Sequence, residues 1–106
     1  MSRIYSTLFF AAALTPGTTN VYTVPPGHVA VLRDVGAVNI SVIAGLVILG
    51  DPDNGVSFAT LVIAGHAGDS SQYNGHQVFP AGSTISVELV SCQADVRGSG
   101  YLLTAP

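Results

Sequence analysis

The sequence predicts an all-β fold: a single compact antiparallel β-sandwich, jelly-roll-like, with about eight strands. Three observations predict it. Val, Ile and Thr are abundant, Gly/Pro/Asn/Asp clusters recur at roughly 8 to 12 residue intervals, and no segment carries the periodicity of a three-turn helix. At 106 residues the chain fits one domain, 1–106, with room for a core that needs no disulfide or metal.

The first strand is expected over 3–13. Its start imitates a secretory signal, because Arg3 precedes the apolar stretch Leu8 to Leu14 with Ala11, Ala12 and Ala13. Ser6 and Thr7 interrupt the approach and the apolar part is short, so Ile4 to Ala13 is read as strand. Thr15-Pro16-Gly17 then marks a turn, 19–24 a second strand, and Pro25-Pro26-Gly27 a second turn. Pro presets φ and Gly accepts positive φ, which makes Pro25, Pro26 and Gly27, and later Pro80 and Gly82, structural turn residues.

A third strand is expected over 28–38 and a fourth over 40–49. The run Val35 to Leu49 is apolar apart from Asn39 and Ser41, but a membrane-spanning helix needs about 20 apolar residues, and Gly36, Gly45 and the β-branched content favour strands. Within it Val42, Ile43, Leu46, Val47, Ile48 and Leu49 put apolar groups on both faces of a strand. One side would be core; the other would meet a neighbouring subunit, a long loop or another sheet. So short a chain has little loop to spare, so these six residues are candidates for a subunit interface.

Asp51-Pro52-Asp53-Asn54-Gly55 reads as a tight hairpin turn. It lacks the 12-residue pattern and terminal Glu of a calcium loop. Strands follow over 56–64, with the same two-sided apolar habit in Phe58, Leu61, Val62 and Ile63, and over 70–79, where Tyr73-Asn74-Gly75 reads as further turn punctuation. Past Pro80-Ala81-Gly82 comes 83–92, in which Ile85, Val87 and Leu89 should point inward and Thr84, Ser86 and Glu88 outward. The last strand is 95–104, where Gly98 and Gly100 share a face and suggest close approach by another group.

Charge is scarce: 8% of residues, against about 25% in an average soluble domain, with 48% hydrophobic. The bases are Arg3, Arg33 and Arg97, without a lysine, and the net charge is -3. Such a chain lacks the electrostatic footprint of a nucleic-acid binder. It also has too few ions to cover a solvated surface, which points to a homo-oligomer whose flanks face protein.

Catalytic and metal motifs are not evident. His28, His66 and His76 lack metal-ligand spacing; His66, Asp69 and His76 could converge but read better as a solvated loop. Gly98-Ser99-Gly100 lacks the outer glycines of a nucleophile elbow, and Cys92, the single cysteine, reads as a small buried side chain. Arg33 and Asp34, adjacent on a strand, should point to opposite faces; Arg33 would lie half-buried beside a carboxylate such as Glu88 or Asp95, exposed at a subunit contact, or simply on the surface. The expectation is a protein without cofactor, metal or enzymatic activity.

The stretch Val21-Tyr22-Thr23-Val24-Pro25-Pro26-Gly27-His28-Val29-Ala30-Val31-Leu32-Arg33-Asp34-Val35 resembles the Y-x-V-P-x-G-x-x-A-V-x-R-D-I pattern of short virion proteins of tailed bacteriophages, notably those of actinobacteria. Phe79 to Val87 and Asp95 to Leu103 are similar to that group's "aGdtl-v" and "v-v-sGyll" endings, so the resemblance covers most of the chain after residue 20. Pro26 departs from the usual Pro-Ala-Gly and should only stiffen the turn. The resemblance implies a β-sandwich structural protein of the virion, on tail or capsid exterior, with itself and other virion proteins as partners. A minor tail component is the first expectation and a capsid decoration protein the second. A receptor- or glycan-binding module is the third; the absence of Trp and the scatter of Tyr5, Tyr22, Tyr73 and Tyr101 along the chain weigh against a host-surface glycan. No membrane association is expected.

Overall fold

The computed structural model describes residues 4–104, with side chains from residue 7 onward. Arg3, the base of the signal-like start, lies outside the described residues. Eight strands form, with no helix among the described residues: β1 (Ile4–Leu14), β2 (Gly17–Thr23), β3 (His28–Asn39), β4 (Gly45–Asp51), β5 (Val56–Ile63), β6 (Ser70–Phe79), β7 (Thr84–Val90) and β8 (Ala94–Thr104).

Their pairing is nested. β4 pairs with β5, β3 with β6, β2 with β7 and β1 with β8, all antiparallel, so the chain is one long hairpin bent at the Pro52–Gly55 turn. Rolled up, that hairpin gives two four-stranded sheets, β1-β8-β3-β6 and β2-β7-β4-β5, which is the jelly-roll arrangement. The first is the β8 sheet and the second the β7 sheet.

Between them lies one apolar cluster, including Leu32, Val35, Val47, Leu49, Ile63, Phe79, Ile85, Val87 and Val96. Ile85, Val87 and Leu89 point inward as the alternation in β7 predicts, whereas Ser86 is buried on the outer side against the bare backbone of Gly50. Aromatic pairs close both open sides of the sandwich. Phe9 of β1 packs on Tyr22 of β2 with centroids 4.9 Å apart, and Phe58 of β5 meets Tyr73 and Phe79 of β6 at 5.8 and 5.7 Å.

The proline turns form as expected. Gly27 (φ 74°) and Gly82 (φ 83°) each occupy the third position of a four-residue turn, closed by His28 N–H donating to Pro25 O and Ser83 N–H to Pro80 O. The two turns are joined through Val24, whose N–H donates to Ser83 O and whose carbonyl accepts from Gly82 N–H.

Three expectations need correction. Residues 40–44 are not strand: β4 begins at Gly45. The cause is Asn39, whose side-chain oxygen accepts from Ser41 N–H and Ser41 Oγ–H at 2.8 and 2.7 Å and bends the chain into a local turn that competes with a ladder. Tyr73-Asn74-Gly75 is not a turn but part of β6, at a register shift against β3. Arg33 and Asp34 do not point to opposite faces: a bulge between Leu32 and Asp34 turns both outward, leaving Leu32 and Val35 in the core.

Candidate functional site

The two outer faces of the sandwich hold the candidate surface residues. On the β7 sheet, register puts Val90, Leu46 and Val62 in one row across β7, β4 and β5, with Glu88, Ile48 and Thr60 in the next row. Leu46 and Ile48 are half-buried by their neighbours, while Val62 at the edge is 71% exposed. The turn that leads into β4 adds Ile40, Val42 and Ile43, with Val42 76% exposed.

The six interface candidates therefore separate. Val47 and Leu49 are fully buried in the core and offer nothing to a neighbour. Leu46 and Ile48 stand on the outer face, and Val42 and Ile43 on the turn beside it. Val62 and Val90 complete the patch and were not among the candidates. Pairing register, which sets Leu46 between Val62 and Val90, is what brings the two into one row, and a linear reading gives no access to it.

Asn39 holds the exposed turn in place. Its side chain donates to the carbonyls of Ile43 and Ala64 at 3.0 and 2.9 Å while its oxygen serves Ser41, so every side-chain valence is used in a residue only 1% exposed. Its backbone joins the network, the N–H donating to Asp69 O and the carbonyl accepting from Gly68 N–H. Ile40 N–H donates to Gln93 O, and Gln93 N–H to Ser41 Oγ. Asn39 thus ties the β3–β4 and β5–β6 connections together, and Ile40 and Ser41 beside it join the β7–β8 connection to them. Its signal in the sequence was a polar interruption of an apolar run.

The β8 sheet's outer face is polar around the bulge. Arg33 donates from Nε to Gly75 O at 3.1 Å, and its guanidinium carbon lies 5.6 Å from the Tyr101 ring centroid, within cation–π range. Arg33 is therefore exposed and not paired with Glu88, which is on the other sheet, or with Asp95, which lies 3.8 Å from Arg97. Beside it is an open depression of about 370 Å³ lined by Val31, Arg33, His76, Tyr101 and Leu103.

The remaining polar candidates are spread over the molecule. His66 N–H donates to Asp69 Oδ2 within the β5–β6 connection, and His76 stands on β6. Among the described residues, no three His, Cys, Asp or Glu side chains are grouped to hold a metal ion. Ser99 stands on the outer face of β8 between the two close approaches expected of its glycines. A Cβ at Gly98 would strike the Phe10 ring and one at Gly100 the Val31 carbonyl. Cys92 is buried against Gly45.

No protein-family model and no curated protein sequence matches the chain. Among solved structures, the Drosophila NLP core, described for pentamer formation and histone binding, is similar in fold: TM-score 0.56 and 19% identity over 91% of this chain and 98% of that one. The extra small virus particle of the prawn Macrobrachium rosenbergii aligns with TM-score 0.49 and 11% identity over 99% of this chain and 80% of that one. The first of these likenesses is one of fold alone.

Proposed function

We propose that the chain is a non-enzymatic structural protein of a bacteriophage virion, a minor tail component, which assembles as a homo-oligomer through the outer face of its β7 sheet. The observation that carries the reading is the patch of Val42, Ile43, Leu46, Val62 and Val90 in a chain with 8% charged residues. Contiguous apolar area of this kind costs free energy while wet, at about 25 cal/mol per Å², and burial against a companion recovers it. The phage part of the reading rests on the turn-and-strand resemblance of residues 21–35, 79–87 and 95–103. The Drosophila NLP core, described for pentamer formation, is a precedent for assembly from a similar fold.

Light scattering of the purified protein tests assembly: a defined oligomer is expected, and a monodisperse monomer at high concentration overturns the reading. Immuno-electron microscopy of intact particles tests location, with label on the tail expected; label on the capsid makes the protein a decoration component. The depression beside Arg33 and Tyr101 favours a second reading, a receptor- or glycan-binding module, because it joins an aromatic ring to hydrogen-bonding neighbours. Binding on a glycan array that Tyr101→Ala abolishes would support it.

A further inference from the structure

Where the charges lie narrows how copies could join. None of the edge strands β1, β2, β5 and β6 contains Asp, Glu, Lys or Arg. The charged residues of the described chain sit on the central strands, as Arg33, Asp34, Asp51, Glu88, Asp95 and Arg97, or in connections, as Asp53 and Asp69. The prolines of the described residues are likewise confined to connections. Edge strands present unpaired N–H and C=O groups, and charge, proline and bulges are the usual means of keeping a second chain from adding to them. Here only the bulges remain.

The edges differ in what surrounds them. β6 shows Ser70, Gln72, Asn74 and His76 on its outer side with Val78 near its end, β2 shows Thr18 and Asn20, and β1 shows Leu8 with Ala11 and Ala13. β6 ends the row Val78, Val31 and Tyr101, but β5 ends the row Val62, Leu46 and Val90, and its Val62, 71% exposed, is the more open of the two edge valines. Its register shift falls near Phe58, between Ala59 and Ser57, so Ala59–Ile63 runs in unbroken register beside the patch. Among the described residues, no backbone hydrogen bond leaves β5 except to β4.

We infer that the end of the β5 edge, Thr60–Ile63 with the following Ala64, pairs antiparallel with the same segment of a second copy of this chain, with the two-fold axis at Val62. This rests on the assembly reading above and specifies its contact. In that register the row Val90, Leu46, Val62 continues into Val62, Leu46 and Val90 of the companion, giving an eight-stranded sheet with an unbroken apolar band. The contact is self-complementary, as a two-fold interface must be. It also pairs the open main-chain groups of two uncharged strands, whose approach meets no like-charge repulsion.

Cysteine cross-linking tests the register. Directly opposed residues have Cβ atoms about 4.5–5.5 Å apart, near disulfide reach, whereas residues at Val90 and its counterpart would be five strand spacings apart, roughly 24 Å. Val62 is exposed, so Val62→Cys should fold, and the native Cys92 is fully buried. Under mild oxidation Val62→Cys should form a disulfide-linked dimer and Val90→Cys should not. Face-to-face packing could also bring two Val62 positions together, so the register needs its own arm. A mixture of Thr60→Cys and Ala64→Cys proteins should cross-link with each other, and neither should do so alone, because residues 60 and 64 oppose each other only in this register. An oligomeric native protein whose Thr60→Cys and Ala64→Cys mixture stays unlinked overturns edge pairing and leaves assembly standing. A monomeric native protein overturns both.

Discussion

The outer faces of the two sheets rest on the same period-two alternation and differ in how much charge they carry. The β8 sheet turns Arg33, Asp34, Asp95 and Arg97 to solvent among the exposed Leu8, Val38, Val78 and Tyr101, while the β7 sheet turns out Leu46, Ile48, Val62 and Val90 with Glu88 as its one charge. Inward-facing positions are mainly aliphatic or aromatic in both, with Asn39 and Asp51 as buried polar residues at the ends of β3 and β4. What distinguishes a wet flank from one that favours a companion is therefore the second residue of each alternating pair. The bulge at Arg33 sharpens the contrast, since it exposes two charged residues in succession where regular alternation would have driven one into the core.

The largest expected effect separates the two faces of a single strand. Val47 and Leu46 are neighbours on β4, one fully buried and the other outward. Val47→Asp places an unpaired carboxylate in the core, and a loss of more than about 4 kcal/mol, enough to abolish cooperative folding, is expected. Leu46→Asp should leave the melting transition in place at a cost of about 1 kcal/mol for the half-buried side chain, while the oligomer dissociates. Circular dichroism melting with light scattering reads both. Equal damage from the two variants would erase the distinction between the faces.

Next in size is the amide that positions the patch. Asn39→Asp keeps the shape but replaces two donors with an oxygen facing the Ile43 and Ala64 carbonyls, and a loss of about 2–4 kcal/mol in urea unfolding is expected. Amide exchange at Ile40–Ala44 should quicken more than exchange in β8, because the side-chain bonds lost tie the exposed turn to itself at Ile43 and to the β5–β6 connection at Ala64. Uniform acceleration would mean that Asn39 stabilises the whole sandwich and does not position the turn.

The β8 sheet offers a matched pair of glycines. At Gly100 a Cβ meets the Val31 backbone carbonyl, which cannot move without breaking the β3–β8 ladder, whereas at Gly36 nothing lies within 4 Å. Gly100→Ala should cost about 1–3 kcal/mol by overpacking. Gly36→Ala should be neutral or stabilising by about 0.5 kcal/mol, since glycine in a strand interior carries an entropic cost. Thermal midpoints of the two variants decide it.

Strand positions were legible because turn chemistry is local. Pro and Gly mark Pro25–Gly27, Pro52–Gly55 and Pro80–Gly82, and each connection sits where its residues predict. The close approach at Gly98 and Gly100 was legible for a similar reason, since two glycines on one strand face leave room that something must fill. The errors came where a side chain or a neighbouring strand decides. Asn39 bends 40–44 by hydrogen bonding to its own turn, and the Arg33 bulge exists only in relation to β8. The patch was half legible: the apolar run gave Val42, Ile43, Leu46 and Ile48, but Val47 and Leu49 were separated from them only by the direction of each Cβ. Val62 and Val90 required the pairing register.

The smallest expected effect comes from the seam where the two sheets meet. Tyr22 of β2 packs on Phe9 of β1, and burial raises its phenol pKa above the ordinary value of 10.0 by disfavouring the phenolate. The folded state therefore holds this proton more tightly than the unfolded chain does. The resulting contribution to stability is fully present below about pH 10 and is lost as pH rises through the elevated folded value. Tyr22→Phe keeps the ring contact and removes the ionisation, so its stability should decline less steeply than the native protein's above pH 10. Parallel decline in the two proteins would place Tyr22 in free solvent, and the seam would then be more open than the 4.9 Å ring contact implies.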